Sequence, residues 1–276
     1  MSLKGRKVLL TGATGFIGGY VAKALLSQGA DLFCIVRNEN RENNFYKSSL
    51  NKKTKILFCN LNSLTETKKI LVKNNFDYIV HLAGVLRPKN MQEALMGNVA
   101  STFNIVEAVK GQKNLKGLVL ASSSRAVSSN ITEEEIENLW AKPYDFSKTV
   151  SDLFISPYLT NKELPVVLLK YPTAFGIGDT YVKPLRLTPQ IIENIKTWKE
   201  FKVTNNVKVQ LAYVEDIAQE FVKVLENINK FKYKTVIVKP LVNTFIQDWI
   251  NKIARIAKGE VAKNKVDKLL YNTFYN

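Results

Sequence analysis

Histidine and cysteine are nearly missing from this chain. One histidine, His81, and two cysteines, Cys34 and Cys59, stand among its 276 residues. A metal centre built on imidazole and thiolate needs several such ligands at fixed spacing, so no metal site is expected. Both cysteines fall in apolar, strand-like runs and read as buried thiols of a reducing compartment, not as a disulfide. Long hydrophobic runs are missing as well: nothing approaches the ~20 apolar residues of a membrane span. The basic start, Met1-Ser2-Leu3-Lys4-Gly5-Arg6-Lys7, leads into an apolar run broken by Thr and Gly, without the cleavage site of a signal peptide. A cytoplasmic protein with no membrane partner is the expectation.

Acidic residues are the third shortage. Asp and Glu number 24 against 40 Lys and Arg, a formal net charge of +16. Such a surplus suits nucleic acid or anionic lipid when it gathers in one tract. Here the lysines run along the whole chain, so no nucleic-acid partner is expected. The charge still favours a phosphorylated small molecule.

Glycine is sparse, at 13 residues, and one cluster therefore stands out. Thr11-Gly12-Ala13-Thr14-Gly15-Phe16-Ile17-Gly18 follows the apolar run Val8-Leu9-Leu10 and precedes a segment with Ile17, Val21 and Leu25 at helical spacing. Strand, glycine loop and helix follow one another. Gly12 suits a tight turn, Gly15 lets backbone N–H groups approach a diphosphate, and Gly18 lets the helix pack on the strand. The anion then rests on a helix N-terminus, where unpaired N–H groups and the helix dipole favour it.

Downstream, strand and helix signals alternate, as a doubly wound parallel sheet requires. Strands are expected at 31–37, 55–60, 77–82, 118–121 and 166–170, and helices at 64–73, 91–110, 131–140 and 143–158. Along 91–110 the apolar residues Leu95, Val99, Phe103, Val106 and Val109 share one side, with Asn98 and Asn104 as polar interruptions. Residues 38–54 form a long, asparagine-rich connection. Arg37 closes the second strand. An acidic residue there would hold the ribose 2′-hydroxyl of NAD, whereas a guanidinium suits a 2′-phosphate. NADP is therefore the expected cofactor, with NAD as the alternative. His81 lies inside the fourth strand and reads as a hydrogen-bonded structural residue. Beyond about 180 the pattern loosens: Pro184 and Pro189 flank a linker, and further helices and strands alternate from 190 to 257. Residues 1–180 are expected to form a Rossmann dinucleotide-binding domain and 181–276 mainly a smaller substrate-binding lobe, with some segments interleaved.

Two short signals carry chemistry. Ser122-Ser123-Ser124 directly follows the fifth strand, at the carboxyl edge where parallel sheets bind ligands. Tyr144 and Lys148 are four residues apart and share a helix face. An ammonium beside a phenol lowers its pKa from about 10, making it usable as an acid or base near neutrality.

Taken together these stretches resemble the extended short-chain dehydrogenases/reductases, the group of NAD(P)-dependent nucleotide-sugar epimerases, dehydratases and ketoreductases. The matches are Thr11–Gly18, His81-Leu82-Ala83-Gly84, Asn98, the serine triplet, Tyr144 with Lys148, Phe175-Gly176-Ile177-Gly178-Asp179 and Tyr213-Val214-Glu215-Asp216-Ile217-Ala218, in the family's order. The resemblance implies a catalytic set of Ser124, Tyr144 and Lys148, with Ser124 chosen for its offset before Val127. It implies cofactor contacts from Gly12, Thr14, Gly15, Phe16, Ile17, Gly18, Arg37, Asn60, Leu61, Leu82, Ala83, Gly84, Tyr144, Lys148, Tyr171 and Thr173. It implies substrate contacts from Ser123, Thr173 and Lys183, and a homodimer packed through the helices near 91–110 and 145–160. The departures matter too. Arg125-Ala126 stands where the family's 4,6-dehydratases carry Asp-Glu, which leaves water elimination without its acid and base. Asn60 replaces an aspartate, Ser128-Ser129 replace Tyr-Gly, and Lys170 and Thr173 replace an arginine and an asparagine. The implied activity is NADP-dependent reduction of a keto group on a nucleotide-linked, 6-deoxy sugar. Alternatives are a nucleotide-sugar epimerase, a reductase of a non-sugar carbonyl compound and, in another class, a non-catalytic NADP-sensing binding protein.

Overall fold

Aliphatic residues bounded by Gly5 and Gly12 make β1 (Lys7–Thr11), in which all but Lys7 are buried. Burial on both faces marks a strand covered by helices on either side. The computed structural model describes residues 2–37, 54–127, 131–179, 186–197, 199, 203, 205–260 and 264–275. The chain continues through α1 (Phe16–Ser27), β2 (Asp31–Val36), β3 (Lys55–Phe58), α2 (Leu64–Asn74) and β4 (Tyr78–His81). After β4 come α3 (Met91–Ala94), a π-helical segment (Leu95–Ala100) and α4 (Ser101–Val109). Next are β5 (Gly117–Ser123), α5 (Glu133–Trp140), α6 (Pro143–Asn161) and β6 (Val166–Tyr171). The later elements are β7 (Thr173–Phe175), α7 (Leu187–Lys196), β8 (Lys208–Tyr213), α8 (Val214–Glu226), α9 (Ile228–Phe231), β9 (Lys234–Ile237), β10 (Val242–Phe245), α10 (Ile246–Ala257) and α11 (Lys265–Tyr275).

Two compact units emerge. The first comprises 1–170 and 218–237, the second 171–217 and 238–276. The first unit carries a seven-stranded parallel sheet in the order β3-β2-β1-β4-β5-β6-β9. Strand order reverses between β1 and β4, which pair in register from Val8 with Tyr78 to Thr11 with His81. Such a reversal opens a crevice at the carboxyl ends of the two strands. Leu9, Phe33, Ile79, Ile105, Leu118 and Val166 lie at the heart of this unit's core. Cys34 and Cys59 are both buried and free, and burial pushes the Cys34 thiol up to about 12. The second unit has its own three-stranded sheet, β10-β8-β7, and a core around Phe175, Ile191, Leu211 and Trp249.

The helix expected across 91–110 departs from its regular period. A π segment inserts an extra residue per turn at Leu95–Ala100 and rotates everything after it by about 100°. Phe103, placed on the apolar side by the 3.6-residue period, is therefore exposed, while Thr102, Asn104 and Ile105 face inward. Asn98, one of the polar interruptions expected in this helix, sits in the π segment and is buried.

Candidate active site

The site is built first by backbone. Gly12 has φ +74, and a Cβ there would lie 2.7 Å from Ala83 N. At Gly18 a Cβ would lie 2.0 Å from Gly12 O, so the glycines let α1 start hard against the end of β1. Gly15 caps α1 without a side-chain bond, and the first turn carries no acidic residue. A cradle without side chains, on a helix N-terminus without negative charge, fits a dinucleotide's diphosphate. Thr14 and Gly15 lie in the loop, and Phe16, Ile17 and Gly18 open α1.

Thr11 ties the two central strands together at this edge. Its Oγ1 accepts from Leu82 N at 3.2 Å and Ala83 N at 3.0 Å, and it bonds His81 Nδ1 at 2.8 Å. His81 also bonds Thr102 Oγ1 through Nε2 at 3.3 Å. Burial, with the Lys148 charge behind it, lowers His81 to about 3. His81 is thus a neutral, hydrogen-bonded member of the sheet.

Asn98 connects the strand ends to α6. Its Oδ1 accepts from Val85 N at 2.8 Å, and its Nδ2 donates to Val85 O at 3.1 Å and Ser147 Oγ at 2.9 Å. Ser147 is one turn along from Tyr144, whose carbonyl accepts from the Ser147 hydroxyl at 2.9 Å. A Cβ on Gly84 would stand 2.6 Å from Asn98 Oδ1 and 3.8 Å from Lys148 Nζ. Lys148 Nζ donates to Ala121 O at 3.1 Å, at the carboxyl end of β5. The lysine head therefore stands between the ends of β4 and β5. Burial holds it below the ordinary lysine value, against the pull of Asp152.

Each serine of the triplet has a different setting. Ser122 is buried and donates to Asp152 at 2.7 Å. Ser123 Oγ accepts from Arg125 N at 3.1 Å. Ser124 is exposed in the turn after β5. Asp152 pairs with Lys170 at 2.9 Å, and Lys170 donates to Ala126 O at 3.0 Å, which fastens this turn to β6. Burial raises the Asp152 carboxyl despite the two donors. Asp152 escaped notice in the sequence, although its place four residues past Lys148 puts it on the same helix face.

The remaining candidates lie further out. Arg37 is exposed just past β2. Asn60 accepts from Asn62 N at 3.1 Å and donates its own N–H to Glu66, while the Leu61 carbonyl accepts from Asn104 at 2.8 Å. Tyr171 ends β6 and Thr173 opens β7, both within the second unit. Lys183, Ser128 and Ser129 lie outside the described residues, as does the polar connection 38–53. Among the described residues no His, Cys, Asp or Glu cluster could hold a metal ion, and no helix is long and apolar enough to cross a membrane.

The fold has close relatives in shape. The UDP-N-acetylglucosamine 4-epimerase from Methanobrevibacter ruminantium M1, solved with UDP-N-acetylmuramic acid, matches with a TM-score of 0.79 at 19% identity, over 98% of this chain and 97% of that one. The Bordetella bronchiseptica enzyme WbmF, solved with NAD+ and UDP, matches with a TM-score of 0.79 at 17% identity, over 99% and 92%. In sequence, a UDP-2-acetamido-2,6-beta-L-arabino-hexul-4-ose reductase of Pseudomonas aeruginosa is 24% identical over 80% of this chain. The match covers 50% of that reductase, so this chain spans half its length. A model of the NAD dependent epimerase/dehydratase family covers residues 8–238. With the glycine cradle, the strand-edge lysine and this match over most of its length, the chain belongs to the NAD-dependent epimerase/dehydratase family, enzymes of the extended short-chain dehydrogenase/reductase type.

Proposed function

We propose that this enzyme reduces a keto group on a nucleotide-linked, 6-deoxy sugar, using NADP(H) in preference to NAD(H). The observation that carries the reading is the Lys148 ammonium at Ala121 O, on the strand-end edge beside Gly84, with Tyr144 one turn earlier on α6. When bound, the dinucleotide supplies the hydride. Tyr144 donates the proton to the developing alkoxide, and Ser124, whose hydroxyl is exposed at the end of β5, hydrogen-bonds the same oxygen. Lys148 holds the cofactor ribose and favours the ionised phenol. Arg125 and Ala126 supply no carboxyl pair for water elimination, which argues against dehydration. Tyr171, Thr173, Ser123 and Lys183 are assigned to the ligands by family resemblance, with the second unit as the substrate lobe. The active form is a homodimer in the cytoplasm.

Arg37 supports the phosphorylated cofactor, because an exposed guanidinium past β2 can take a 2′-phosphate in a bidentate bond worth roughly 1.5–3 kcal/mol. A second reading, nucleotide-sugar epimerisation with retained NAD, is favoured by the likeness to a 4-epimerase and to an enzyme solved with NAD+. The deciding experiment is oxidation of NADPH against a panel of nucleotide-linked 4-ketosugars, with product stereochemistry read by NMR. Net consumption in proportion to ketosugar is expected, and Arg37→Ala should erase most of the NADP preference. A protein purified with tightly bound NAD that interconverts two sugar epimers without net loss of NADPH would overturn the proposal.

A further inference from the structure

The turn that carries Ser124 is fastened on nearly every side. Ser122 is held by Asp152, Ala126 N–H by the Ser123 carbonyl at 3.1 Å, Ala126 O by Lys170, and Val127 N–H by Thr149 Oγ1 at 3.1 Å. One further bond joins this turn to α6: Arg125 Nη2 donates to Asp145 Oδ2 at 2.6 Å. Arg125 directly follows Ser124, and Asp145 directly follows Tyr144. The ion pair therefore links the two chain positions that neighbour the hydroxyls assigned to the reaction.

Its burial is lopsided. The Asp145 side chain is 7% exposed and the Arg125 side chain 62%, so the anion lies inside and the cation reaches in from the surface. Asp145 Oδ1 is buried without a hydrogen bond among the described residues, which leaves Arg125 as the charged partner that satisfies this carboxylate. A surface ion pair constrains little, because solvent screens it and either side chain can leave. A buried carboxylate with one cation has no comparable alternative, and moving the arginine strands the charge. Arg125 itself occupies the first of the two positions that family resemblance gives to a catalytic Asp-Glu in dehydratases.

We propose that the Arg125–Asp145 ion pair is a strap that fixes the Ser124 turn against the first turn of α6, making both side chains positioning residues for the reduction. The inference rests on the activity proposed above, but the strap can be read without it. Amide hydrogen exchange at residues 124–127 is measured in the intact protein, together with NADPH-dependent turnover of a UDP-linked 4-keto-6-deoxyhexose. Arg125→Ala should speed exchange of these amides by about tenfold while those of 118–121 keep their protection. It should lower kcat about ten- to a hundredfold, with the KM for NADPH unchanged. The double variant Arg125→Ala/Asp145→Ala, which leaves no stranded carboxylate, should fold and show both effects. Arg125→Lys, which keeps the charge, should recover part of each. Unchanged exchange in the double variant would overturn the strap. So would a raised sugar KM with kcat intact, since Arg125 would then be a substrate contact. If the wild-type protein turns over no ketosugar, the functional reading fails while the exchange measurement still decides the strap.

Discussion

Single residues decide the chemistry, and each can be tested alone. Tyr144→Phe removes only the proposed proton donor, so hydride transfer should vanish while NADPH fluorescence titration gives an almost unchanged affinity. Lys148→Ala should damage both, because it takes away the proposed ribose ligand and the charge at Ala121 O. Ser124→Ala should lower kcat by about two orders of magnitude, the usual loss for one oxyanion donor; full retained rate in Tyr144→Phe would show the assignment to be wrong. His81 gives a test by pH. It is the chain's one histidine, and burial depresses it from 6.5 to about 3. A depressed histidine favours the fold above about pH 6.5, where both states are neutral. That contribution fades as pH falls towards 3, because only the unfolded chain gains the proton. The full loss is on the order of 5 kcal/mol at one pKa unit per ~1.4 kcal/mol. Asp179 opposes it: burial raises its carboxyl to about 6, so it adds stability as pH drops below that value. His81→Gln cannot charge, and its urea midpoint should therefore fall less between pH 7 and pH 4 than the wild type's. Parallel curves for the two proteins would remove His81 from the acid response.

At the scale of elements, the glycine loop makes the sharpest prediction. Gly18→Ala puts a methyl 2.0 Å from Gly12 O, a backbone atom at the end of β1 that cannot swing aside. Either α1 shifts or the loop does, and the expected cost is about 2 kcal/mol or more, with loss of dinucleotide binding. Gly111 provides the control. It has φ +79 but open space around its Cβ, so Gly111→Ala should cost only the ~1 kcal/mol of left-handed strain and leave binding intact. Thermal melts and NADPH titration separate the two; similar binding losses in both would point to general destabilisation. This loop was readable in advance because its constraints are local: a strand, three glycines and a helix within twelve residues. Tyr144 and Lys148 were readable for the same reason, being one helical turn apart. Asp152 and Lys170 were not, because their meeting depends on β6 lying next to β5, which no local pattern encodes. The π segment at Asn98 was hidden because an inserted residue shifts the phase without changing composition, so Phe103 seemed to face inward. Strands β7 and β10 are three and four residues long, too short for a period, and among the described residues they pair with β8.

At the scale of the whole molecule, the +16 charge has no tract to explain it and acts as a diffuse field. A nucleotide sugar and a dinucleotide both carry a diphosphate, so that field should raise the rate of encounter with both ligands. It acts on association and does little once the ligand is seated, which places its effect on kcat/KM and not on kcat. Salt distinguishes the two, since the Debye length shrinks from about 30 Å at 0.01 M to about 8 Å at 0.15 M. kcat/KM for the nucleotide ketosugar should fall several-fold over that range, while kcat stays level. A single phosphate-binding lysine would also give salt dependence, but replacing it would abolish the effect in one step. A diffuse field instead wears down gradually. Lys68 and Lys69 are exposed on α2, so Lys68→Gln/Lys69→Gln should reduce the salt slope slightly and leave kcat untouched. A flat salt profile in the wild type would mean that the charge does nothing for capture, and the surplus lysines would then be a feature of composition alone.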